Sequence, residues 1–322
     1  MIRFLVGLCI AVSADVGAAS TALEADGLYA SGFDENWSAA GVRNVPLLSP
    51  DVALRGRVYV PAPEKRNGAS VIALHGCTGL WSHGAPGTVA QAAIEKWGRK
   101  LSDEGFLVLA VDSYTDRVPS GGDPLAYQVQ CAGSPLAGFV DPYTTRVADV
   151  DAAIGWMSYR LGSLVDHRVG LIGWSQGAQS VLVRTAETGR FADVSLYEPP
   201  AIAPREIPAA VAFYPGCGLD LGFRSGPVTT SYWRPHAPLR VNHAADDPLA
   251  SDCALRAERA LSAFASPWLS YVAYADAAHG FDRVVPTWPV APCEPADVPD
   301  VCAAKDADIA SLVMLEQHLL AR

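Results

Sequence analysis

The sequence has few basic residues for its length. It holds 24 lysines and arginines against 34 aspartates and glutamates in 322 residues, which gives a formal net charge of −10 at pH 7. A chain with this excess of negative charge is repelled by polyanions. We therefore expect no nucleic acid among its partners.

The sequence also lacks the short spacings that are typical of metal sites. Neither Cys-x-x-Cys nor His-x-x-x-His occurs among its 7 cysteines and 7 histidines. Such pairs supply the ligands of many structural zinc sites. We therefore expect no bound metal, and we find no internal repeat or low-complexity tail either.

The apolar stretch at the N-terminus, 4–12, is too short to span a bilayer as a helix. It follows the positive charge of Arg3 and precedes the small residues of 16–19, an arrangement typical of a secretory signal peptide. We expect cleavage to remove 1–19 and to leave a single domain over 20–322. The mature protein would then be secreted or periplasmic, without a stable membrane anchor.

Removal of the leader leaves an even set of cysteines: Cys77, Cys131, Cys217, Cys253, Cys293 and Cys302. In an exported chain an even count predicts up to three disulfides. The first choice is the pair of 293 with 302, which share a proline-rich acidic loop. The pairs 77 with 131 and 217 with 253 are weaker predictions, because each member follows a predicted strand end on one side of the sheet.

The clearest functional motif in the sequence is a Gly-x-Ser-x-Gly pentapeptide that follows a predicted strand. An apolar run, 169–174, leads into Gly-Trp-Ser-Gln-Gly at 173–177, and helical apolar spacing follows. A strand, a sharp turn with Gly-x-Ser-x-Gly and a helix make a nucleophile elbow, in which Gly173 and Gly177 leave room for closely approaching backbone. Ser175 is therefore the predicted nucleophile.

A second motif follows another short apolar strand, 70–74. The loop His-Gly-Cys-Thr-Gly at 75–79 occupies the place where one half of an oxyanion hole is built. We expect the backbone N–H groups of Cys77 and Gln176 to be the two donors. His75 is interpreted as a histidine that binds backbone and positions the loop, and Cys77 could be either a free thiol or a disulfide partner.

The partners of the serine are sought at the ends of the later strands. Asp246 and Asp247 follow the strand 239–242, and His279 follows the strand 268–274. The order serine, acid, histidine is that of α/β-hydrolases. We choose Asp246 as the acid, with Asp247 as the alternative, and His279 as the base.

Buried strands alternating with helical segments predict an α/β-hydrolase fold, in which helices flank a mostly parallel central sheet. The segment 23–50 is expected to be an irregular arm. Asn67-Gly68 is a turn signal consistent with an antiparallel pair at the sheet edge. The short interval between the strands 209–214 and 239–242 predicts a small lid or none, with Tyr232 and Trp233 as possible pocket residues.

Several motifs together resemble the dienelactone hydrolase family over 54–320: 75–80, 112–114, 173–177, 246–247 and 279–281. The enzymes of that family that hydrolyse dienelactone usually carry a cysteine at the elbow. Ser175 and the export signal therefore favour the family's esterase-like members.

From these residues we expect a serine hydrolase that cleaves small carboxylic esters or lactones through an acyl-enzyme without a cofactor. Two alternatives stay open: a peptidase or amidase with the same triad, and a catalytically silent binding protein on the same scaffold. The oligomeric state is not predicted.

Overall fold

The computed structural model describes 37, 39–48, 53–82, 87–117, 130–131, 139–161, 168–186, 207–217, 235–263, 265–289 and 291–321. These residues fall within one compact unit, Trp37–Arg322. The predicted signal peptide, 1–19, lies outside the described residues, as do Tyr232 and Trp233 and most of the interval on which the lid prediction depends. The single domain over 20–322 stays a prediction.

An eight-stranded sheet forms the centre of the described part of the chain. Its strands are β1 Gly41–Leu48, β2 Ala53–Val60, β3 Ser70–Leu74, β4 Leu107–Asp112, β5 Val169–Trp174, β6 Ala210–Phe213, β7 Leu239–Ala244 and β8 Leu269–Tyr274. Their spatial order is β1-β2-β4-β3-β5-β6-β7-β8. The pairs β1–β2 and β2–β4 are antiparallel, and the other pairs are parallel.

The helices of the described segments are α1 Ala92–Asp103, α2 Thr145–Leu161, α3 Gln176–Arg184, α4 Ala250–Ser262 and α5 Pro299–Leu319. Short 3₁₀ turns occupy Pro63–Lys65 and Phe281–Val284. No helix among the described residues combines the length and the apolar character needed to cross a membrane.

The central strands are mostly apolar because both faces of the sheet are covered, with polar residues such as Ser70 and Asp112 at strand ends. All residues of β3, β4, β5 and β6 are buried. Alternate residues such as Val71 and Val108 join one core cluster with Trp97 of α1 and Leu315 of α5. The intervening residues therefore face the opposite side of the sheet. This arrangement confirms the predicted α/β-hydrolase fold.

The expected irregular arm over 23–50 is wrong for its described C-terminal part. Gly41–Leu48 forms β1, which pairs along its length with β2. Its residues alternate less regularly than an ideal strand, with Asn44 and Pro46 within it, so the pattern alone did not favour a strand. The turn at 67–68 precedes β3, a parallel strand, and is not part of the antiparallel edge pair.

Candidate active site

Ser175 lies on a strained turn between β5 and α3. Its backbone has φ 51° and ψ −115°, a conformation that residues with a Cβ rarely adopt. The turn is fixed by the Ser175 N–H, which donates to the Phe213 carbonyl at 2.9 Å. The serine hydroxyl is thus presented at the carboxyl end of the sheet.

The two glycines of the elbow are required by close backbone contacts. A Cβ on Gly173 would lie 2.6 Å from the Gly177 carbonyl oxygen. A Cβ on Gly177 would lie 2.5 Å from the His75 carbonyl oxygen and would also meet that of Leu74. Real Cβ atoms essentially never come within 3.0 Å of such atoms, so the spatial requirement predicted from the sequence is confirmed.

The loops after β7 and β8 bring an imidazole and a carboxylate to the serine. His279 Nε2 lies 3.2 Å from Ser175 Oγ, and His279 Nδ1 lies 2.6 Å from Asp247 Oδ2. The Asp247 side chain is 1% exposed and that of His279 is 33% exposed. The carboxylate is therefore shielded while the imidazole remains accessible to solvent and small molecules.

The choice of Asp246 as the acid is corrected by this geometry. Asp246 is exposed, and its backbone N–H donates to the Ala277 carbonyl at 3.1 Å. Asp247, the alternative, points inward because its Oδ1 accepts the Leu249 N–H at 2.9 Å and closes the turn. Consecutive residues in a turn point in different directions, and composition does not tell which one faces the histidine.

The surroundings of Asp247 keep its carboxyl ionised. Burial by itself would raise the pKa, but hydrogen bonds from His279 and from the Leu249 N–H, with the nearby His243, lower the pKa below its ordinary value. A charged carboxylate at Nδ1 favours the tautomer whose Nε2 can accept the serine proton.

The His-Gly-Cys-Thr-Gly loop lies directly beside the elbow. A Cβ built on Gly76 would be 3.5 Å from Ser175 Cβ. Cys77 follows in this loop, and Gln176 is the first residue of α3. The two expected oxyanion donors are therefore carried by segments that meet at the serine.

His75 binds backbone as predicted. Its Nε2 accepts the Ser113 N–H at 3.2 Å, and its Nδ1 lies 2.7 Å from the Gly76 carbonyl oxygen. Burial, reinforced by the charge of Arg146, places the pKa of His75 well below its ordinary value. The ring is therefore neutral and serves to hold the loop.

A pocket opens next to the elbow, with Gly76, Trp174, Tyr214 and Arg283 among the residues that line it. Trp174 precedes Ser175 in the sequence, and Gly76 is its neighbour in space. The pocket mixes an apolar wall with one guanidinium group, and such a mixture suits a small organic molecule.

A buried polar network includes Tyr214, whose ring contacts His279. The Tyr214 ring packs edge-to-face on the His279 ring with centroids 4.6 Å apart. The Tyr214 hydroxyl donates to Asp282 Oδ1 at 2.5 Å, and Trp174 Nε1 donates to Asp282 Oδ2 at 2.9 Å. Asp282 thereby links Tyr214, which packs on His279, to Trp174, which precedes Ser175.

The network continues to two helices. Lys96 of α1 donates to the Asp282 carbonyl oxygen at 3.2 Å and pairs with Asp308 of α5 at 2.6 Å. Sequence analysis did not identify Lys96, Asp282 or Asp308. In the sequence, each of them is a charged residue in or beside an amphipathic segment. Such a residue is usually exposed to solvent, so the sequence alone does not show that these three are buried.

All three predicted disulfides are present: Cys77–Cys131, Cys217–Cys253 and Cys293–Cys302. Among the described residues, one group of potential metal ligands occurs, at Cys293, Asp297 and Cys302. Both of its sulfur atoms belong to a disulfide, so this group supplies no thiolate for a metal.

No family model matches the sequence, and no curated protein resembles it in sequence. Solved structures do resemble it. A protein from Klebsiella pneumoniae, provisionally classed as a dienelactone hydrolase, is 18% identical with a TM-score of 0.57, over 86% of this chain and 99% of that one.

Two esterases give similar values. An esterase from Pyrococcus furiosus is 19% identical with a TM-score of 0.53, over 87% of this chain and 94% of its own. Esterase 2 from Thermogutta terrifontis, phosphorylated by paraoxon, is 17% identical with a TM-score of 0.54, over 90% of this chain and 99% of its own. At these identities the likeness concerns the fold, and the chain therefore has an α/β-hydrolase fold of the kind found in a dienelactone hydrolase and in esterases.

Proposed function

We propose that the protein is a serine hydrolase that cleaves carboxylic esters or lactones through a triad of Ser175, His279 and Asp247. One observation carries the proposal: the continuous chain of hydrogen-bonding distances from the Ser175 hydroxyl through both ring nitrogens of His279 to the buried Asp247 carboxylate. The strained backbone of Ser175 and the adjacent pocket support it.

In the first half of the reaction, His279 Nε2 takes the proton of Ser175 as Oγ attacks the acyl carbon. Asp247 stabilises the resulting imidazolium. The negative oxygen of the tetrahedral intermediate accepts hydrogen bonds from the N–H groups of Cys77 and Gln176, each worth about 3 kcal/mol in the transition state. Collapse breaks the ester bond, and the leaving alkoxide receives the proton from His279.

In the second half, water replaces the alcohol. His279 removes a proton from water as its oxygen attacks the acyl-enzyme, and the second tetrahedral intermediate expels Ser175. The serine oxygen recovers its proton from His279, and the carboxylic acid leaves. A lactone follows the same course, with the alcohol and acid groups in one product.

The structural relatives support ester chemistry in particular. Two of them are esterases, and the structure of one of these shows the enzyme phosphorylated by paraoxon. Three disulfides suit an oxidising compartment. We therefore extend the proposal to a secreted or periplasmic enzyme whose signal peptide covers 1–19.

The test is a panel of p-nitrophenyl acetate, a small lactone and an aminoacyl p-nitroanilide, assayed on the wild type and on Ser175→Ala. We expect ester or lactone turnover that falls at least about 10³-fold in Ser175→Ala. Ser262→Ala, an exposed serine at the end of α4 whose hydroxyl donates to the Glu258 carbonyl, is the matched control and should retain activity. Turnover of the anilide alone would contradict the ester assignment and favour a peptidase or amidase.

A further inference from the structure

Arg146 is a fully buried charged residue that the mechanism above does not use. It is the second residue of α2, and none of its surface is exposed. Its Nη2 donates to the His75 carbonyl at 2.7 Å, and its Nη1 donates to Gln176 Oε1 at 3.1 Å. One guanidinium thus holds the two segments that carry the expected oxyanion donors.

In the part of the chain that the structure describes, the Arg146 guanidinium binds carbonyl and amide oxygens and no carboxylate. Within the described segments, no aspartate or glutamate forms an ion pair with it. Asp149, one turn further along α2, binds Arg117 through both oxygens at 2.8 and 2.7 Å. An unpaired buried cation is costly to a fold, which suggests that it has a role.

The contacts around Arg146 close into a ring that includes Cys77. Gln176 Nε2 donates to the Gln130 carbonyl at 3.2 Å, and the next residue, Cys131, is bonded to Cys77. From Cys77 the chain leads back through Gly76 to His75, which Arg146 binds. The loop and the start of α3 are therefore fastened to each other on both sides of the donors.

Tyr114 completes the support beneath Gln176. Its hydroxyl is hydrogen-bonded to Gln176 Oε1, and the Arg146 guanidinium lies over its ring, 5.3 Å from the centroid. Burial raises the pKa of Tyr114 to about 12, so its hydroxyl remains a donor. Gln176 Oε1 thus accepts from two directions, which fixes the first turn of α3.

Building on the proposed function, we propose that Arg146 is a positioning residue of the oxyanion hole. It fixes the peptide groups that lead to the Cys77 and Gln176 donors. Its positive charge, in a low-dielectric interior, also favours the negative oxygen that forms in the transition state. Because the substrate carries no such charge before attack, the effect should fall on kcat and leave KM almost unchanged.

The experiment compares Arg146→Met and Arg146→Lys with the wild type, using p-nitrophenyl acetate turnover and inhibition by a trifluoromethyl ketone, which forms a tetrahedral oxyanion with the serine. We expect Arg146→Met to lower kcat by about 10- to 100-fold with KM within about twofold, somewhat less than the loss of one donor. Affinity for the ketone should fall by the same factor as kcat/KM. Arg146→Lys, which keeps the charge, should recover part of the loss.

Arg184 provides the matched control. It is equally buried, but it lies at the far end of α3, where it pairs with Asp151 at 2.8 Å. Arg184→Met should lower stability without the selective loss of kcat and of ketone affinity. An equal selective loss in Arg184→Met would overturn the proposal, because general loosening of the fold would then explain both variants.

The remaining outcomes separate this proposal from the proposed function. Stoichiometric labelling of the wild type by a fluorophosphonate establishes the nucleophile first, and its absence refutes the proposed function itself. If the wild type is labelled but Arg146→Met keeps its kcat, the role of Arg146 is refuted alone. Should Arg146→Met fail to fold, Arg146→Gln, which keeps an N–H donor but removes the charge, decides: a kcat within twofold of the wild type overturns the proposal.

Discussion

At the scale of single residues, the hydrogen bond between His279 and Asp247 defines how the imidazole is oriented. The 2.6 Å contact involves Nδ1, so Nε2 is left to face the serine. His243 also approaches Asp247 Oδ2, at 3.8 Å, but it is fully buried and bound to the Pro215 carbonyl at 2.9 Å. It therefore lies against the proposed triad carboxylate and, being buried, does not compete with His279 for a substrate.

Two neighbouring aspartates make a matched pair of variants. We expect Asp247→Asn to lower kcat by about 10³- to 10⁴-fold, because an amide can stabilise the wrong imidazole tautomer and cannot stabilise the imidazolium. Asp246→Asn should change kcat less than about threefold, since its side chain is exposed and forms no contact with His279. Steady-state kinetics on p-nitrophenyl acetate decides, and the reverse ranking would restore Asp246 as the acid.

At the scale of elements, the elbow depends on the absence of side chains at two positions. Gly177→Ala would push a Cβ into the backbone of β3 and its loop, at Leu74 and His75. Backbone cannot move aside as a flexible side chain can, so we expect the free energy of unfolding to fall by about 3 kcal/mol or more, with loss of activity.

Gly155 of α2 is the control for this substitution. A Cβ there would meet no atom within 4 Å. Gly155→Ala should therefore stabilise the protein by about 0.5 to 1 kcal/mol, because alanine favours the helix and restricts the unfolded chain. Urea unfolding measures both variants, and a Gly177→Ala protein as stable as the wild type would contradict the packing described here.

The buried charges between α1 and α5 predict a pH dependence of stability. Burial, together with the charge of Asp282, outweighs the attraction of Lys96 and raises the pKa of Asp308 from 3.8 to about 7. A carboxyl with a raised pKa contributes most below its unfolded-state pKa and loses that contribution as it is forced to ionise. The loss should extend from about pH 4 to about pH 7 and then level off.

Asp308→Asn removes this titration. The unfolding free energy of the wild type minus that of Asp308→Asn should be largest near pH 4, decline as the pH rises towards 7 and remain constant above it. Thermal or urea unfolding across pH 4 to 8 measures the difference. A difference that grows with pH would show that the attraction of Lys96 outweighs the effect of burial and that the pKa of Asp308 is lowered.

Elements whose own residues form a clear apolar pattern could be predicted from the sequence, and elements without such a pattern could not. The bounds of β3 and β5 match the predicted segments 70–74 and 169–174, because each is a continuous apolar run that forms a buried strand. β1 was missed because its order comes from pairing with β2. Its own residues carry little signal.

At the scale of the whole molecule, the disulfides tie distant segments together. Cys77–Cys131 spans 54 residues and closes on the His-Gly-Cys-Thr-Gly loop, whereas Cys293–Cys302 spans 9 residues and ends within α5. Loop-closure entropy predicts stabilisation of about 4 kcal/mol for the first and about 2.5 kcal/mol for the second. The first alone also joins residues that contact the site.

We therefore expect the double variant Cys77→Ser/Cys131→Ser to lose both stability and kcat. Cys293→Ser/Cys302→Ser should lose less stability and keep its kcat. Urea unfolding and ester turnover on the two proteins provide the comparison. Equal kcat in both double variants would show that the first disulfide contributes to stability only.

The parts of the candidate site that escaped sequence analysis are those that depend on the assembled fold. The sequence could bring Ser175 and His279 to one place because each lies in a local motif at a strand end, and the structure puts them 3.2 Å apart. The oxyanion role of Cys77 and Gln176 stays a prediction. Arg146 and the network around Asp282 could not, since their partners are far away in the chain: Arg146 bonds residues at 75 and 176, and Lys96 pairs with a residue at 308. Only the packing of helices on the sheet brings these groups together.

The most direct test of the account is covalent labelling of the folded protein by a fluorophosphonate, with the modified peptide identified by mass spectrometry. The account predicts one label per chain on Ser175, with no label on Ser175→Ala. A folded wild-type protein that is not labelled, or a label that persists in Ser175→Ala, would contradict the claim that this serine is an activated nucleophile.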